Sequence, residues 1–121
     1  MKRVLLGLLF LAQTLGFGPA AWAHAFLEHA TPAVGSTARS SPPEVRLWFT
    51  QELEPAFSTV RVEDAAGKRV DNRDGAIDAN DPTLLRVTLP KLEPGRYRVT
   101  WRVLSTDTHV TEGDFTFEVA P

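Results

Sequence analysis

Apolar and polar residues alternate with a period of two along much of the chain. Val45, Leu47 and Phe49 alternate with Arg46 and Trp48. Four later runs repeat the alternation: 59–63, 85–89, 96–103 and 115–119. Successive side chains of a β-strand point to opposite faces of a sheet, so each run predicts a half-buried strand.

Turn signals separate these runs. They lie at Pro42-Pro43, Ala66-Gly67-Lys68, Asn80-Asp81-Pro82 and Glu93-Pro94-Gly95. After residue 23, no stretch of ten or more residues keeps a convincing helical period. Short alternating strands at this spacing predict an all-β fold, either an antiparallel β-sandwich or a small barrel.

The first 23 residues have the three parts of a cleaved secretory signal. Lys2 and Arg3 form a basic head, residues 4–11 are almost continuously apolar, and Ala21-Trp22-Ala23 fits the small-x-small cleavage pattern. The apolar run is shorter than the roughly 20 residues that a membrane helix requires. We therefore expect two parts: a signal peptide, 1–23, and an exported domain, 24–121, that begins at His24.

Composition restricts the chemistry of the exported domain. Removing Lys2 and Arg3 from 13 basic side chains leaves 11 against 15 acidic ones, a net charge of about −4 with histidines neutral. This balance does not favour nucleic-acid binding, which depends on clustered Lys and Arg. The chain has no cysteine, and Met1 is its one methionine, so 24–121 holds no thiolate or thioether metal ligand.

Three histidines are the distinctive residues: His24, His29 and His109. His109 ends the stretch Ser-Thr-Asp-Thr-His at 105–109, just beyond a predicted strand. If the extended conformation continues, Asp107 and His109 point to the same side, about 6 to 7 Å apart. His29, five residues from His24, would then face the opposite side of its strand and is expected at the surface.

Cleavage after Ala23 would give His24 two nitrogen donors, its α-amine and its imidazole. Together with His109 and Asp107, this makes three nitrogens and one oxygen. Cu(II) favours such a tetragonal set and is at the top of the divalent affinity series. Zn(II) accepts the same donors tetrahedrally and stays possible at this level.

The exported domain resembles the CopC family of periplasmic copper-binding, or copper resistance, proteins. The matching features are His24 after the signal, Gly-Arg-Tyr-Arg-Val-Thr-Trp at 95–101, and Ser-Thr-Asp-Thr-His at 105–109, in that order. The resemblance implies a Greek-key β-sandwich of cupredoxin or immunoglobulin type with about seven strands.

For function, the resemblance implies a non-enzymatic carrier or buffer of one Cu(II) per chain in the periplasm, acting in copper homeostasis or resistance. The ligands it implies are His24, through amine and imidazole, Asp107 and His109. It further implies a monomer whose partner is a CopD-like copper transporter of the inner membrane. The N-terminal arm is expected to be the flexible part of the site, which releases the ion first.

Two departures from the family pattern concern the same site. Some members carry a glutamate near the copper where this chain has Gln51, followed by Glu52. Some members have a methionine-rich Cu(I) site, and since 24–121 has no methionine, the chain resembles the Cu(II)-only subgroup.

Two other classes stay open on the residues alone. An N-terminal histidine also binds copper in oxygenases that cut polysaccharides, where an open coordination position activates oxygen. A purely structural β-sandwich, serving as an adhesion or interaction module, could carry the same histidines without a metal. Trp48 and Trp101 are expected in the core or in the wall of the site.

Overall fold

The computed structural model describes residues 24–121, so the predicted signal segment 1–23 lies outside it. Residues 24–121 form eight strands: β1 (Leu27–Thr31), β2 (Thr37–Ala38), β3 (Glu44–Phe49), β4 (Thr59–Asp64), β5 (Ala76–Asp78), β6 (Asp81–Thr88), β7 (Gly95–Leu104) and β8 (Val110–Val119). One short 3-10 turn, Pro55–Phe57, is the sole helical segment between residues 24 and 121. Within that range no helix has the length and apolarity needed to cross a membrane.

The strands form two four-stranded sheets, with orders β1-β3-β6-β5 and β2-β8-β7-β4. All pairings are antiparallel except that of β2 with β8. The sheets face each other across one core, which confirms the predicted all-β sandwich and rules out a closed barrel. Eight strands replace the expected count of about seven.

The alternation predicted five of these strands. The three that it did not predict are short: β1, β2 and β5. β1 lies at a sheet edge, where only Ala30 is buried and both Glu28 and His29 are exposed, so it has no period-two signal. β2 and β5 have two and three residues and are too short to show a period. The turn expected at Asn80-Asp81-Pro82 was also wrong in part, because β6 already begins at Asp81.

The core contains the buried faces of the alternating runs. Val45, Leu47 and Phe49 of β3 are 0–1 % exposed, and Val99 of β7 and Phe117 of β8 are buried to the same degree. Arg46 and Trp48 point away from this core, as the pattern predicted. Burial of one face along each strand is the main driving force for the fold, at about 25 cal/mol per Å² of apolar surface.

The strand register places the N-terminal segment and the β7–β8 connection at the same end of the sandwich. Leu27 pairs with Phe49 at the end of β3, so residues 24–26 run on past that strand. Leu104 pairs with Val110, which leaves 105–109 as the connection. A bridge between Leu53 and Ser105 joins the segment after β3 to this connection.

Candidate metal centre

Residues 105–109 form a tight turn between β7 and β8. The amide of Ser105 donates to the carbonyl of His109 at 3.0 Å, and the amide of Thr108 donates to the carbonyl of Ser105 at 2.9 Å. Thr108 has a φ of +75°, a left-handed conformation that is strained for a β-branched residue. The expectation that the extended conformation continues through Asp107 and His109 was therefore wrong.

The turn nevertheless brings these two side chains together. Oδ1 of Asp107 lies 3.5 Å from Nδ1 of His109, and both side chains are 45 % exposed. Oδ1 of Asp107 also contacts the hydroxyl of Ser105. Since both contacts use Oδ1, the geometry leaves Oδ2 of Asp107 and Nε2 of His109 as the atoms for a metal ion.

The surroundings of Asp107 favour its ionised form. The hydrogen bond from the Ser105 hydroxyl lowers the pKa of this carboxyl, and the contact with His109 lowers it further. Desolvation acts in the opposite direction, and the pKa stays below its ordinary value. Asp107 is thus kept as a carboxylate, the form that binds a metal ion.

The segment after His24 is anchored to the sandwich. Ala25 is 1 % exposed, and its carbonyl accepts a hydrogen bond of 2.7 Å from the hydroxyl of Thr111 on β8. The amide of Phe26 donates to the hydroxyl of Thr50 at 3.0 Å, and the amide of Thr50 donates to the carbonyl of Phe26 at 2.9 Å. Within residues 24–121, His24 alone precedes the anchored residues, so the arm that is expected to release the ion first is short.

His24 and His109 come from opposite ends of the domain and meet at this end of the sandwich. Their ring centroids are 4.8 Å apart, with an angle of 70° between the ring planes. A metal–imidazole bond is about 2.0 Å long, so two rings on one ion have centroids about 4.5 to 6.5 Å apart, from cis to trans. The observed separation fits two imidazoles on adjacent positions of one ion.

The donor set is incomplete in the uncleaved chain. The nitrogen of His24 is bonded to Ala23 as an amide, and an amide proton is not readily displaced by a metal. Between residues 24 and 121, no three His, Asp or Glu side chains are grouped tightly enough to hold an ion as they stand. Closing the site therefore requires a further donor, such as a free amine, or rotation of the exposed side chains.

The other residues considered from the sequence are not brought into contact with the candidate ligands. Gln51 is half-buried and Glu52 exposed, and within 24–121 neither side chain hydrogen-bonds to His24, Asp107 or His109. Glu52 contributes its backbone instead, because its carbonyl accepts from the amide of Thr106 at 3.0 Å.

His29 and Trp101 lie where the sequence placed them, whereas Trp48 was expected in the core or in the wall of the site and instead points away from the core. His29 is exposed and stacks on Trp48, with ring centroids 4.9 Å apart, on the outer face of its sheet. Trp48 and Trp101 are half-buried, and Trp101 packs edge-on against Phe49 at 6.0 Å. None of the three is a candidate ligand.

Sequence reasoning missed the hydroxyl residues that hold the site together. Ser105 holds the turn through its hydrogen bond to Asp107. Thr50 and Thr111 hold the N-terminal segment through hydrogen bonds to Phe26 and Ala25. Thr50 and Thr111 carry no sequence signal, because their partners are 24 and 86 residues away. Ser105 stands two residues before Asp107, and serine and aspartate are both residue types that turns favour.

Comparison with known proteins identifies the family and the fold of this chain. The model of the CopC domain family matches residues 27–120. Copper resistance protein C of Pseudomonas syringae pv. tomato is 33% identical over 105 residues, which cover 82% of each chain.

Two solved structures share the fold. The crystal structure of CopC from Methylosinus trichosporium OB3b is similar with a TM-score of 0.72 and 37% identity, over 81% of this chain and 95% of that one. PcoC, a methionine-rich copper resistance protein from Escherichia coli, has a TM-score of 0.71 and 29% identity, over 79% and 98% of the two chains. On the family match and these similarities, the chain belongs to the CopC domain family.

Proposed function

We propose that this protein is a periplasmic carrier or buffer of copper that binds one Cu(II) per chain through His24, Asp107 and His109. The observation that carries the proposal is the convergence of these residues at one end of the sandwich. The rings of His24 and His109 are 4.8 Å apart, and Asp107 lies 3.5 Å from His109. Copper is the cargo of the site, and the proposed role in homeostasis or resistance is binding without catalysis.

The chemistry of the donors favours Cu(II). Two imidazoles, one carboxylate and one amine supply three nitrogens and one oxygen, which suit the tetragonal geometry of Cu(II). Cu(I) prefers soft sulfur ligands, and residues 24–121 contain no cysteine or methionine. PcoC, in contrast, is described as methionine-rich.

The fourth donor explains the position of His24 directly after Ala21-Trp22-Ala23. Signal cleavage after Ala23 converts the amide nitrogen of His24 into a primary amine that can share an ion with its own imidazole. The cleavage that accompanies export then also completes the metal site. The proposal therefore includes a periplasmic location and a mature chain of residues 24–121.

Release of the ion involves His24 alone rather than a long arm. Ala25 is buried and held by Thr111, so the backbone is fixed one residue after the ligand. His24 is only half-buried, and rotation about its Cα–C bond moves its amine and its imidazole together, so two donors leave the ion at once. The rigid turn keeps Asp107 and His109 in place for the next ion.

We further propose that the protein acts as a monomer and that its partner is a CopD-like copper transporter of the inner membrane. Phe26, two residues after His24, is 47 % exposed, and Val110, which directly follows His109, is 46 % exposed. Exposed apolar side chains beside a polar site are suited to contact a partner protein. They would let the acceptor approach the ion directly.

The test is a Cu(II) competition titration of the chain that begins at His24, beside a form with one additional N-terminal alanine. We expect one-to-one binding with about three nitrogen donors by electron paramagnetic resonance, much weakened by the additional residue. His109→Ala should weaken binding, and His29→Ala, which removes a histidine outside the site, is the matched control. Equal binding by the two N-terminal forms and by a form acetylated at the nitrogen of His24 would exclude the amine, and no binding by any of them would refute the proposed function.

A further inference from the structure

Ser105 is the most deeply buried polar residue next to the candidate ligands. It is 0% exposed, although the turn that it begins is exposed from Thr106 to His109. Its hydroxyl oxygen contacts Oδ1 of Asp107, and it lies 3.3 Å from the amide nitrogen and 3.2 Å from the carbonyl oxygen of His109.

The single proton of the Ser105 hydroxyl can be donated to only one of these acceptors. A serine hydroxyl donates one proton and accepts at two lone pairs. A carboxylate is a stronger acceptor than a neutral carbonyl, so the hydroxyl donates its proton to Asp107. The carbonyl of His109 accepts from the backbone amide of Ser105 at 3.0 Å. The amide of His109 donates to the same hydroxyl oxygen. One buried atom thus holds the carboxylate of Asp107 and the backbone of His109.

We propose that Ser105 is a positioning residue for the metal ion, one that presets Asp107 and His109 without touching the ion. This inference rests on the proposed function of the site. The Ser105 bond occupies Oδ1 of Asp107 and thereby directs Oδ2 outward, while the bond from the His109 amide fixes the backbone that carries the second ligand. Groups that orient metal ligands in this way typically contribute about 10- to 100-fold in metal affinity.

The fold offers a matched control for removal of this hydroxyl. Ser58 is also buried, at 6 % exposure, and its hydroxyl accepts from the amide of Leu104 at 3.3 Å, one residue before Ser105. Ser58→Ala and Ser105→Ala each remove one buried hydroxyl near Leu104, at the end of β7. Only Ser105→Ala removes a contact to the candidate ligands.

The first experiment measures Cu(II) affinity and the electron paramagnetic resonance spectrum of the chain that begins at His24 and of both variants. We expect Ser105→Ala to lose about 10- to 100-fold in affinity with a changed spectrum, and Ser58→Ala to keep both. Ser105→Thr, which retains the hydroxyl, should restore the spectrum, and it serves as the test if Ser105→Ala does not fold. Unchanged affinity in Ser105→Ala, or loss of affinity in Ser105→Thr with its fold intact, would overturn the proposal.

The second experiment separates this inference from the proposed function by leaving copper out. Hydrogen exchange of the His109 amide reports directly on its bond to Ser105. We expect faster exchange in metal-free Ser105→Ala and exchange at the original rate in Ser58→Ala. If the unmodified chain binds no copper, the proposed function fails, and faster exchange confined to Ser105→Ala still supports the ordering of the turn by Ser105. Equal exchange in both variants refutes that ordering.

Discussion

The hydroxyl of Thr111 donates a hydrogen bond of 2.7 Å to the carbonyl of Ala25, across 86 positions of the chain. This bond joins β8 to the residue that follows His24. Because Thr111 is two residues after His109, β8 directly follows one candidate ligand and anchors the backbone next to another. The distance between the two histidines is thereby set within one short region of the sandwich.

Removal of this anchor should loosen His24. We expect Thr111→Val, which replaces the hydroxyl by a methyl group, to lower Cu(II) affinity by about tenfold and the free energy of unfolding by about 1 kcal/mol. Competition titration and urea denaturation measure the two effects. Thr59→Val is the control, since its hydroxyl lies 3.5 Å from the carbonyl of Arg102, away from the candidate ligands, and it should leave affinity unchanged.

Copper affinity should fall between pH 7 and pH 5 through the nitrogen donors. Amine and imidazole nitrogens must lose a proton to bind a metal, so protons compete with the ion as pH falls. Asp107 does not add to this fall, because the Ser105 hydroxyl holds its pKa below the ordinary value and protons reach it only at lower pH. The pH dependence of affinity should therefore be the same in Asp107→Asn above pH 5, at lower affinity throughout. An affinity that is constant over this range would contradict nitrogen ligation.

The buried carboxylate of Asp71 should make the free energy of unfolding depend on pH. Burial opposes ionisation of its carboxyl, but hydrogen bonds from the Arg69 side chain and from the amides of Val62 and Arg73 outweigh burial, so its pKa is lowered. A lowered pKa stabilises the fold above the pKa of the unfolded chain, about 3.9, and this stability is lost as pH falls through the lower folded value. We expect Asp71→Asn to cost about 2 kcal/mol or more at pH 7 and progressively less below pH 4, by urea denaturation.

An exposed ion pair provides the comparison for this experiment. Asp114 pairs with Arg98 at 2.5 Å, and both side chains are about half exposed. Asp114→Asn should cost less than about 1 kcal/mol, because solvent screens such pairs. Equal losses for the Asp71 and Asp114 variants at pH 7 would show that the buried carboxylate has no special role.

Gly113 should resist substitution because of Trp101. A Cβ added at Gly113 would lie 2.5 Å from Cζ2 of the Trp101 ring, which pairs across from it in the β7–β8 hairpin. We expect Gly113→Ala to displace Trp101, to cost about 1 to 3 kcal/mol, and to shift tryptophan fluorescence. Gly75→Ala, where the closest atom is Cγ1 of Val60 at 3.3 Å, is the control and should have the smaller effect on both readouts.

The longer strands could be predicted from the sequence. Each has one face in the core and one toward solvent, and the resulting alternation is local, as at Val45, Leu47 and Phe49. β1 could not be predicted, because an edge strand with a single buried residue has no alternation. Its existence depends on pairing with β3, a contact that is long-range in the chain.

The sequence by itself determined the candidate donors: two histidines and one aspartate of the right chemistry, with a cleavage pattern that would free the amine of His24. Only the tertiary structure decided that these donors meet. Pairing of β1 with β3 and of β7 with β8 brings His24 within 4.8 Å of His109, although 85 residues separate them in sequence. The bonds made by Thr50 and Thr111 likewise depend on the tertiary structure, because hydrogen bonds between distant segments require the sheets to pack.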